Sequence, residues 1–393
     1  MKRKTYSKEV WAILIIQFLK GIEFIGVVLV PFFTDWGGIS QFQIQLLQSW
    51  FTLSIFLAEI PTGLIGDTKG LKYSVVMGQA IWILGVLIYA STPNIYVFAL
   101  GELILAIGAA FTSGAEEALL YETMKDSKET ESFNKVMALN GNLKLAGMIL
   151  SSAVAGFLIP VMSLNHVFML GAVPRILALV LTILLVKEPK VSKSKELIPN
   201  YKKIFKQAIS GLRSNGELRR IAIFTTIAYG VSYFVLWFNQ PLLKGLGVTN
   251  EKLGVYRIVL ILSEIFFVSI IVWMIDKFKK RRNIINIILV LLVAGGFLVA
   301  AFWNNMVGVL IFIVISGGIG LKFRDIFSKT LNDRIDSKQR ATSLSAISMI
   351  SKLFLAIDNV IFGFLSDISL HMTLGILGLI LLIGGLIFVP KEN

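Results

Sequence analysis

Charged side chains interrupt several long apolar runs of this sequence. Glu23, Arg175, Glu264 and Lys352 each lie near the middle of such a run. A charge at the centre of a bilayer costs at least about 2.5 to 3.5 kcal/mol unless it is paired or hydrated, so such residues commonly bind solutes or relay protons. We therefore predict that these four side chains bind a solute or protons. Ion pairing at helical spacing, as between Lys20 and Glu23, is the structural alternative.

Two further carboxylates, Glu102 and Glu116, lie fourteen residues apart in one apolar run. A continuous helix turns by about 100° per residue, which places the two side chains within about 40° of each other on one face. This spacing predicts a proton path along that helix.

Aromatic residues recur every four positions in the stretch YGVSYFVLWFNQPLL. Tyr233 and Trp237 are candidates to contact the solute, because aromatic faces bind cationic or planar groups. Packing between helices is the alternative. Asn239, Gln240 and Pro241 are expected to break the helix near its end.

The composition indicates that lipid surrounds the chain. Of its 393 residues, 55% are apolar and 16% are charged, and the mean hydropathy is +0.78. Crossing the hydrocarbon core requires about 20 apolar residues in a helix, and twelve such runs occur. They lie at Val10–Phe33, Ile44–Leu64, Tyr73–Ala90, Ile95–Tyr121, Val136–Val161, Val167–Val186, Ile221–Leu243, Leu253–Ile275, Ile284–Phe302, Met306–Phe327, Ala341–Leu365 and Met372–Val389.

The runs predict an all-α membrane protein with twelve transmembrane helices in two pseudo-symmetric six-helix bundles. The bundles would comprise residues 1–186 and 221–393, joined by a cytoplasmic linker at 187–220 that is rich in lysine. Part of the linker is amphipathic and is expected either to lie on the membrane surface or to act as a solvated tether. A weak internal repeat suggests a binding site between the halves, near the membrane midplane.

The net charge of +14 follows the predicted topology. Most Lys and Arg residues fall on one side of the spans, and Lys244 and Lys252 are the exceptions in the loops. By the positive-inside rule, this bias places both termini in the cytoplasm and the chain in the inner membrane. Orientation therefore explains the basic charge better than binding to nucleic acid does.

The loop between the second and third spans carries a spaced set of glycines and charges. It reads GLIGDTKGLK and contains Gly63, Asp67, Gly70 and Lys72. Glycines permit a tight turn, and a carboxylate can bind the positive N-terminal end of a facing helix. The spacing resembles the loop signature of the major facilitator superfamily, with Leu71 in place of one basic residue.

This resemblance covers the whole chain and implies the fold described above, a monomeric carrier and a cytoplasmic gate at the loop. A second copy of the motif keeps Asp276 and its basic run but lacks the glycines. By resemblance, the gate loop contacts the start of the eleventh span, where Arg340 lies. Drug–proton antiporters of the family carry an arginine before Gly108 and a Gly-Pro pair in the fifth span. Ile104 replaces the arginine and the fifth span has no Gly-Pro pair, so both marks of drug efflux are missing.

The remaining composition narrows the function. With no cysteine and two histidines, neither a metal site nor another cofactor is expected. A phosphate-binding loop for ATP is also missing, so an ion gradient must supply the energy. We expect a transporter, not an enzyme, that exports a small amphiphilic compound in exchange for protons. Uptake of a nutrient is one alternative, and a membrane receptor or lipid-handling protein is another.

Overall fold

The computed structural model describes residues 6–189, 216–327 and 340–390, and all regular secondary structure in these ranges is helical. The α-helices with six or more described residues in the first half are α1 (Lys8–Gly21), α2 (Gln41–Lys69), α3 (Leu71–Tyr89), α4 (Ile95–Thr112), α5 (Ala115–Asp126), α6 (Phe133–Leu158), α7 (Leu164–Leu170) and α8 (Ala172–Leu185). Those of the second half are α9 (Gly216–Gly245), α10 (Leu253–Lys277), α11 (Arg282–Phe302), α12 (Met306–Ile311), α13 (Arg340–Ile368) and α14 (Leu370–Phe388). Most of the predicted linker, with its amphipathic stretch, lies outside the described residues.

Eleven helical stretches among the described residues are long and apolar enough to cross a membrane. The chain is therefore a multi-pass membrane protein, although twelve spans were predicted. The predicted span Val10–Phe33 is the missing one, because α1 ends at Gly21 and the chain leaves helical geometry over residues 22–28.

The interruption of the first span has a local cause and a tertiary cause. The stretch IEFIGVV, residues 22–28, holds four β-branched residues and a glycine, all of which are weaker helix formers than alanine or leucine. Ser151 Oγ of α6 donates a hydrogen bond to the carbonyl of Glu23 at 3.0 Å. A polar side chain thus satisfies a backbone group that the helix leaves unpaired, as irregular backbone inside a membrane requires.

Two other predicted spans are also irregular. The span that begins at Ile95 divides into α4 and α5 at Ser113 and Gly114, and Gly114 adopts φ +73°. A left-handed residue of this kind ends an α-helix. The tenth span passes from α12 into a π-helical segment at Phe312–Gly317 and then turns at residues 321–322.

The chain forms two compact units. The first comprises Met1–Ile39 and Trp50–Ile198, and the second comprises Ser40–Ser49 and Pro199–Asn393. The beginning of α2 therefore belongs to the second unit. In that unit Phe42 N donates to Asp367 Oδ1 at 3.0 Å, and Ser49 Oγ donates to the carbonyl of Ala356 at 2.8 Å.

The expected break at Asn239–Pro241 is wrong, because α9 continues through Pro241 to Gly245. Proline has no amide hydrogen and displaces the carbonyl four residues earlier, which is that of Trp237. Gln41 Nε2 donates to this carbonyl at 3.4 Å. A side chain of α2 thus replaces the hydrogen bond that the proline removes.

In the first unit, α1 packs closely against α6 at glycines. A Cβ added to Gly147 would overlap the carbonyl oxygen of Phe18, and one added to Gly21 would overlap that of Lys144. Small residues let membrane helices approach to backbone contact. This contact brings the end of α1 beside the charged residues described next.

Candidate functional site

A buried ion pair joins the two interrupted spans of the first unit. Lys20, in the last turn of α1, donates to Glu116, in the first turn of α5, and the two side chains are 8% and 28% exposed. Each charge lies at the helix end where the helix dipole favours it, the cation at the C-terminus and the carboxylate at the N-terminus. The two helix ends that the breaks create therefore position the pair. Lys20 binds Glu116 and not Glu23, the residue three positions away.

Three more charges surround this pair. Arg175, in the first turn of α8, lies within electrostatic range of both Glu23 and Glu116. Lys144 of α6 interacts in the same way with Lys20 and Glu116. Three cations and two carboxylates give the cluster a net charge of +1 when all five side chains are ionised.

The arginine of the cluster is held by an aromatic ring. Its guanidinium carbon lies 4.0 Å from the centroid of Trp82, a cation–π contact. Arg175 Nε is buried and has no hydrogen-bond partner among the described residues. The ring therefore fixes the guanidinium while one donor remains available to a ligand or a water molecule.

A small cavity of about 30 Å³ lies beside Lys20 and Glu116. Gln79 and Asn140 also line it, and the amide oxygen of each is buried without a hydrogen-bond partner among the described residues. Gln79 Nε2 donates to Thr182 Oγ1 at 3.1 Å, which fixes the orientation of that amide. Unpaired acceptors next to an ion pair are what water or a polar solute occupies.

Glu102 lies apart from this cluster. It is 5% exposed and accepts a hydrogen bond from the Tyr89 hydroxyl at 2.9 Å. Tyr89 in turn packs against Phe32, Phe98 and Phe168. The predicted proton path assumed one continuous helix from Glu102 to Glu116, and the break at Ser113–Gly114 interrupts that helix.

The second unit contains its own ion pair, in which Glu264 is buried and Lys322 is half-buried. Lys322 Nζ lies 3.1 Å from Glu264 and 4.0 Å from Asp325. Lys322 occurs at the turn that interrupts the tenth span, so charge and irregular backbone coincide here as they do in the first unit. The fourth predicted residue, Lys352, lies half-buried on α13.

The predicted aromatic residues lie together on α9. The ring centroids of Tyr233 and Trp237 are 6.3 Å apart, and the Tyr233 hydroxyl donates to Gln48 Oε1 at 3.5 Å. Trp237 is 4% exposed. The Tyr233 hydroxyl and the backbone carbonyl of Trp237 thus contact side chains of α2 within the second unit.

The glycine-rich loop is organised by a residue that the sequence did not single out. Glu188 accepts hydrogen bonds from the backbone N–H of Leu71 at 2.7 Å and of Lys72 at 3.0 Å, and so caps α3. Gly70 adopts φ +117°, and a Cβ there would lie 2.5 Å from the Glu188 carboxyl carbon. Lys72 Nζ donates to the carbonyl of Ile183 at 2.8 Å. The loop is therefore fastened to the end of α8.

The other predicted gate residues make no such contacts in the described ranges. Asp67, Gly63 and Asp276 are exposed. Arg340 is the first residue of α13, and its side chain lies outside the described residues. Next to Glu188, Lys187 Nζ lies 2.8 Å from Glu9, and this hydrogen bond raises the pKa of Lys187.

Sequence reasoning also passed over Asp358. This aspartate lies half-buried in the middle of α13, with Oδ2 3.1 Å from the position of a Cβ on Gly230 of α9. The signal was available, because LFLAIDNVIFGF places a carboxylate inside an apolar run. The pairing of Lys20 with Glu116 and of Lys322 with Glu264 gave no such signal, because the two residues of each pair lie far apart in the sequence.

A family model of the Major Facilitator Superfamily matches residues 12–326. The "Uncharacterized MFS-type transporter YxaM" of Bacillus subtilis is 24% identical over 218 residues, which cover 54% of this chain and 53% of that protein. An "Uncharacterized transporter" of Buchnera aphidicola is 26% identical over 170 residues, 42% of this chain and 40% of that protein. The chain thus matches about half the length of these curated relatives.

Solved structures resemble the chain over nearly its whole length. The nucleoside transporter NupG gives a TM-score of 0.78 at 13% identity and covers 98% of this chain and 99% of its own. A POT family transporter in complex with a thioalcohol-conjugated peptide gives 0.76 at 12% identity, covering 96% and 94%. At these identities the resemblance concerns the fold.

Proposed function

The chain belongs to the major facilitator superfamily, and from that premise we propose that it exports a small amphiphilic compound in exchange for protons. That it is a membrane transporter of this type follows from the family; the solute class, the direction and the protons are the proposal. One observation chiefly supports it: the ion pair between Lys20 and Glu116 lies where two membrane spans are interrupted.

Proton exchange requires a carboxylate whose surroundings change between charged and neutral states. Glu116 is held by Lys20, and protonation of Glu116 would remove the charge on which this pair depends. Glu23 lies in the irregular stretch after α1, within electrostatic range of Arg175. Broken helices in transporters supply such binding groups near the midplane. The two carboxylates are therefore the proposed proton carriers.

Exchange follows if solute and proton compete for the same carboxylate. A cationic group of an amphiphilic solute, bound to Glu23 or Glu116, would exclude the proton from that site. The aromatic pair Tyr233 and Trp237 and the Glu264–Lys322 ion pair supply the corresponding groups of the second unit. Glu102 and Lys352 are also proposed to take part in solute or proton binding, at a greater distance from the charged cluster.

The predicted cytoplasmic gate at the glycine-rich loop is also part of the proposed transport mechanism. Asp67 is exposed at the end of α2, and Gly70, Lys72 and Glu188 give the adjoining loop a fixed shape. A loop fastened in this way would present Asp67 reproducibly to a facing helix end. We further propose that the protein works as a monomer in the inner membrane, with both termini in the cytoplasm and without enzymatic chemistry.

One observation favours nutrient uptake as the second candidate. The charged cluster of the first unit has a net charge of +1, and protonation of one carboxylate raises it to +2. A cavity beside a net positive charge attracts an anionic solute, and protonation of a carboxylate strengthens this attraction. Solute and proton would then move in the same direction.

Counterflow in proteoliposomes tests whether the protein carries a solute at all. Vesicles preloaded with an unlabelled candidate solute should accumulate the labelled form transiently. Everted and right-side-out vesicles under an imposed pH gradient then distinguish export from uptake. Saturable binding without counterflow would identify a receptor and would contradict the proposal.

A further inference from the structure

A second cavity lies in the second unit, apart from every group assigned above. This cleft, with a cavity volume of about 200 Å³, runs between α9 and α13. Its apolar lining consists of Ala222, Ile223, Ile227, Ile347, Ile350 and Phe354.

The two walls of the cleft are continuous helix faces. On α9 the lining residues lie at positions 219, 222, 223, 226 and 227, which share one helix face, and on α13 they lie at positions 347, 350 and 354. At about 1.5 Å per residue, each wall is about 10 to 12 Å long. Such a groove suits one extended alkyl chain.

Two of the described lining residues, Thr226 and Arg219, carry polar side chains. The Thr226 hydroxyl already hydrogen-bonds to Ser351 Oγ at 2.9 Å, which joins the two helices. Arg219 is exposed, and no hydrogen bond or ion pair engages its guanidinium among the described residues. Among the described residues, Arg219 is thus a cation at one end of an apolar groove, and no described group engages it.

The depth of the cleft indicates the source of its ligand. The helix α9 has 30 residues, whereas about 20 cross the hydrocarbon core. Arg219, in the first turn, therefore lies at headgroup level, and Ile227 lies about 12 Å deeper. Basic pockets between membrane helices bind anionic headgroups, and arginine binds carboxylate or phosphate in a bidentate manner.

We propose that the cleft binds a single-chain anionic lipid of the bilayer, with the chain between α9 and α13 and the carboxylate or phosphate headgroup on Arg219. This assignment does not depend on the proposed transport cycle, because none of the cleft residues belongs to the charged cluster or to the gate.

Binding of laurate to the purified full-length protein tests the proposal. Thermal unfolding in detergent micelles is measured with added laurate, with neutral dodecanol, and without ligand, and native mass spectrometry counts the bound molecules. Laurate should raise the Tm of the wild type, since a ligand of the folded state stabilises it. Dodecanol should do so much less.

Two variants locate the two ends of the ligand, and a third is the control. Arg219→Gln should weaken laurate binding about tenfold or more, because a charge-assisted hydrogen bond is lost. Arg281→Gln, a matched change at an exposed residue that does not line the cleft, should bind as the wild type does. Ile350→Trp fills the groove, keeps the arginine and should also abolish binding.

Several results would overturn the assignment. Equal laurate binding by the wild type and Arg219→Gln would show that the headgroup does not bind Arg219. Equal stabilisation by laurate and dodecanol would show that the charge of the ligand plays no part in binding. Unchanged binding by Ile350→Trp would place the chain elsewhere. Counterflow of labelled laurate would identify it as a transported solute instead of a resident lipid.

Discussion

Replacement of Glu116 by glutamine should destabilise the protein strongly. The change leaves Lys20, 8% exposed, without its carboxylate and with two cations, Arg175 and Lys144, nearby. Removal of one partner of a buried ion pair costs about 3–5 kcal/mol, because the other charge stays buried and uncompensated. The neighbouring cations place the expected loss at the upper end of this range.

A matched control lies on the same helix. Glu122 pairs with Lys125 at 3.0 Å, but the lysine side chain is 59% exposed. Exposed pairs contribute little because water screens both charges. Glu122→Gln should therefore be almost as stable as the wild type.

SDS titration in mixed micelles, followed by far-UV circular dichroism, measures the free energy of unfolding of the wild type and of each variant. The double variant Lys20→Met/Glu116→Gln should recover much of the loss, since it leaves neither charge of the pair behind. Equal stabilities for Glu116→Gln and Glu122→Gln would refute a buried pair at this position. A double variant less stable than Glu116→Gln would refute the electrostatic origin of the loss.

Three further substitutions test a close helix contact, a side-chain hydrogen bond to a backbone carbonyl, and a helix cap. Gly147→Ala should cost about 1–3 kcal/mol because its Cβ meets a backbone carbonyl of α1, whereas Gly141→Ala, on the same helix with open space around it, should be neutral or slightly stabilising; thermal unfolding compares the two. Gln41→Leu should cost about 1–3 kcal/mol of stability, because the backbone carbonyl of Trp237 loses its hydrogen-bond donor. The cost should be much smaller in a Pro241→Ala background, where residue 241 again has a backbone N–H. A double-mutant cycle measures this coupling. Glu188→Ala should speed hydrogen exchange at the first two amides of α3, and unchanged protection would show that the cap is dispensable.

The sequence predicted the membrane helices well, because apolar run length is a local property that hydropathy measures directly. It did not predict where the helices are interrupted. The stretch after Gly21 remains apolar, and what stabilises its irregular backbone is Ser151, a residue 128 positions from Glu23. A hydropathy profile contains no information about such a partner.

Pairing of the buried charges was harder to predict than their presence. Helical spacing suggested Lys20 with Glu23, yet the helix ends between them, and the lysine binds Glu116, 96 positions away. The same limit applies to Glu188, which caps α3 across 117 positions. Charges inside spans are visible in the sequence, whereas their partners depend on how the spans pack.

The most direct test of the account is proton movement in proteoliposomes. A fluorescent pH gradient is established, candidate cationic, neutral and anionic solutes are added, and the wild type is compared with Glu23→Gln and with Glu122→Gln as the control. Proton-coupled export predicts that an exported solute releases protons through the wild type and the control, and that Glu23→Gln still binds the solute but moves no protons. Demonstrable solute flux without any change of pH would contradict it.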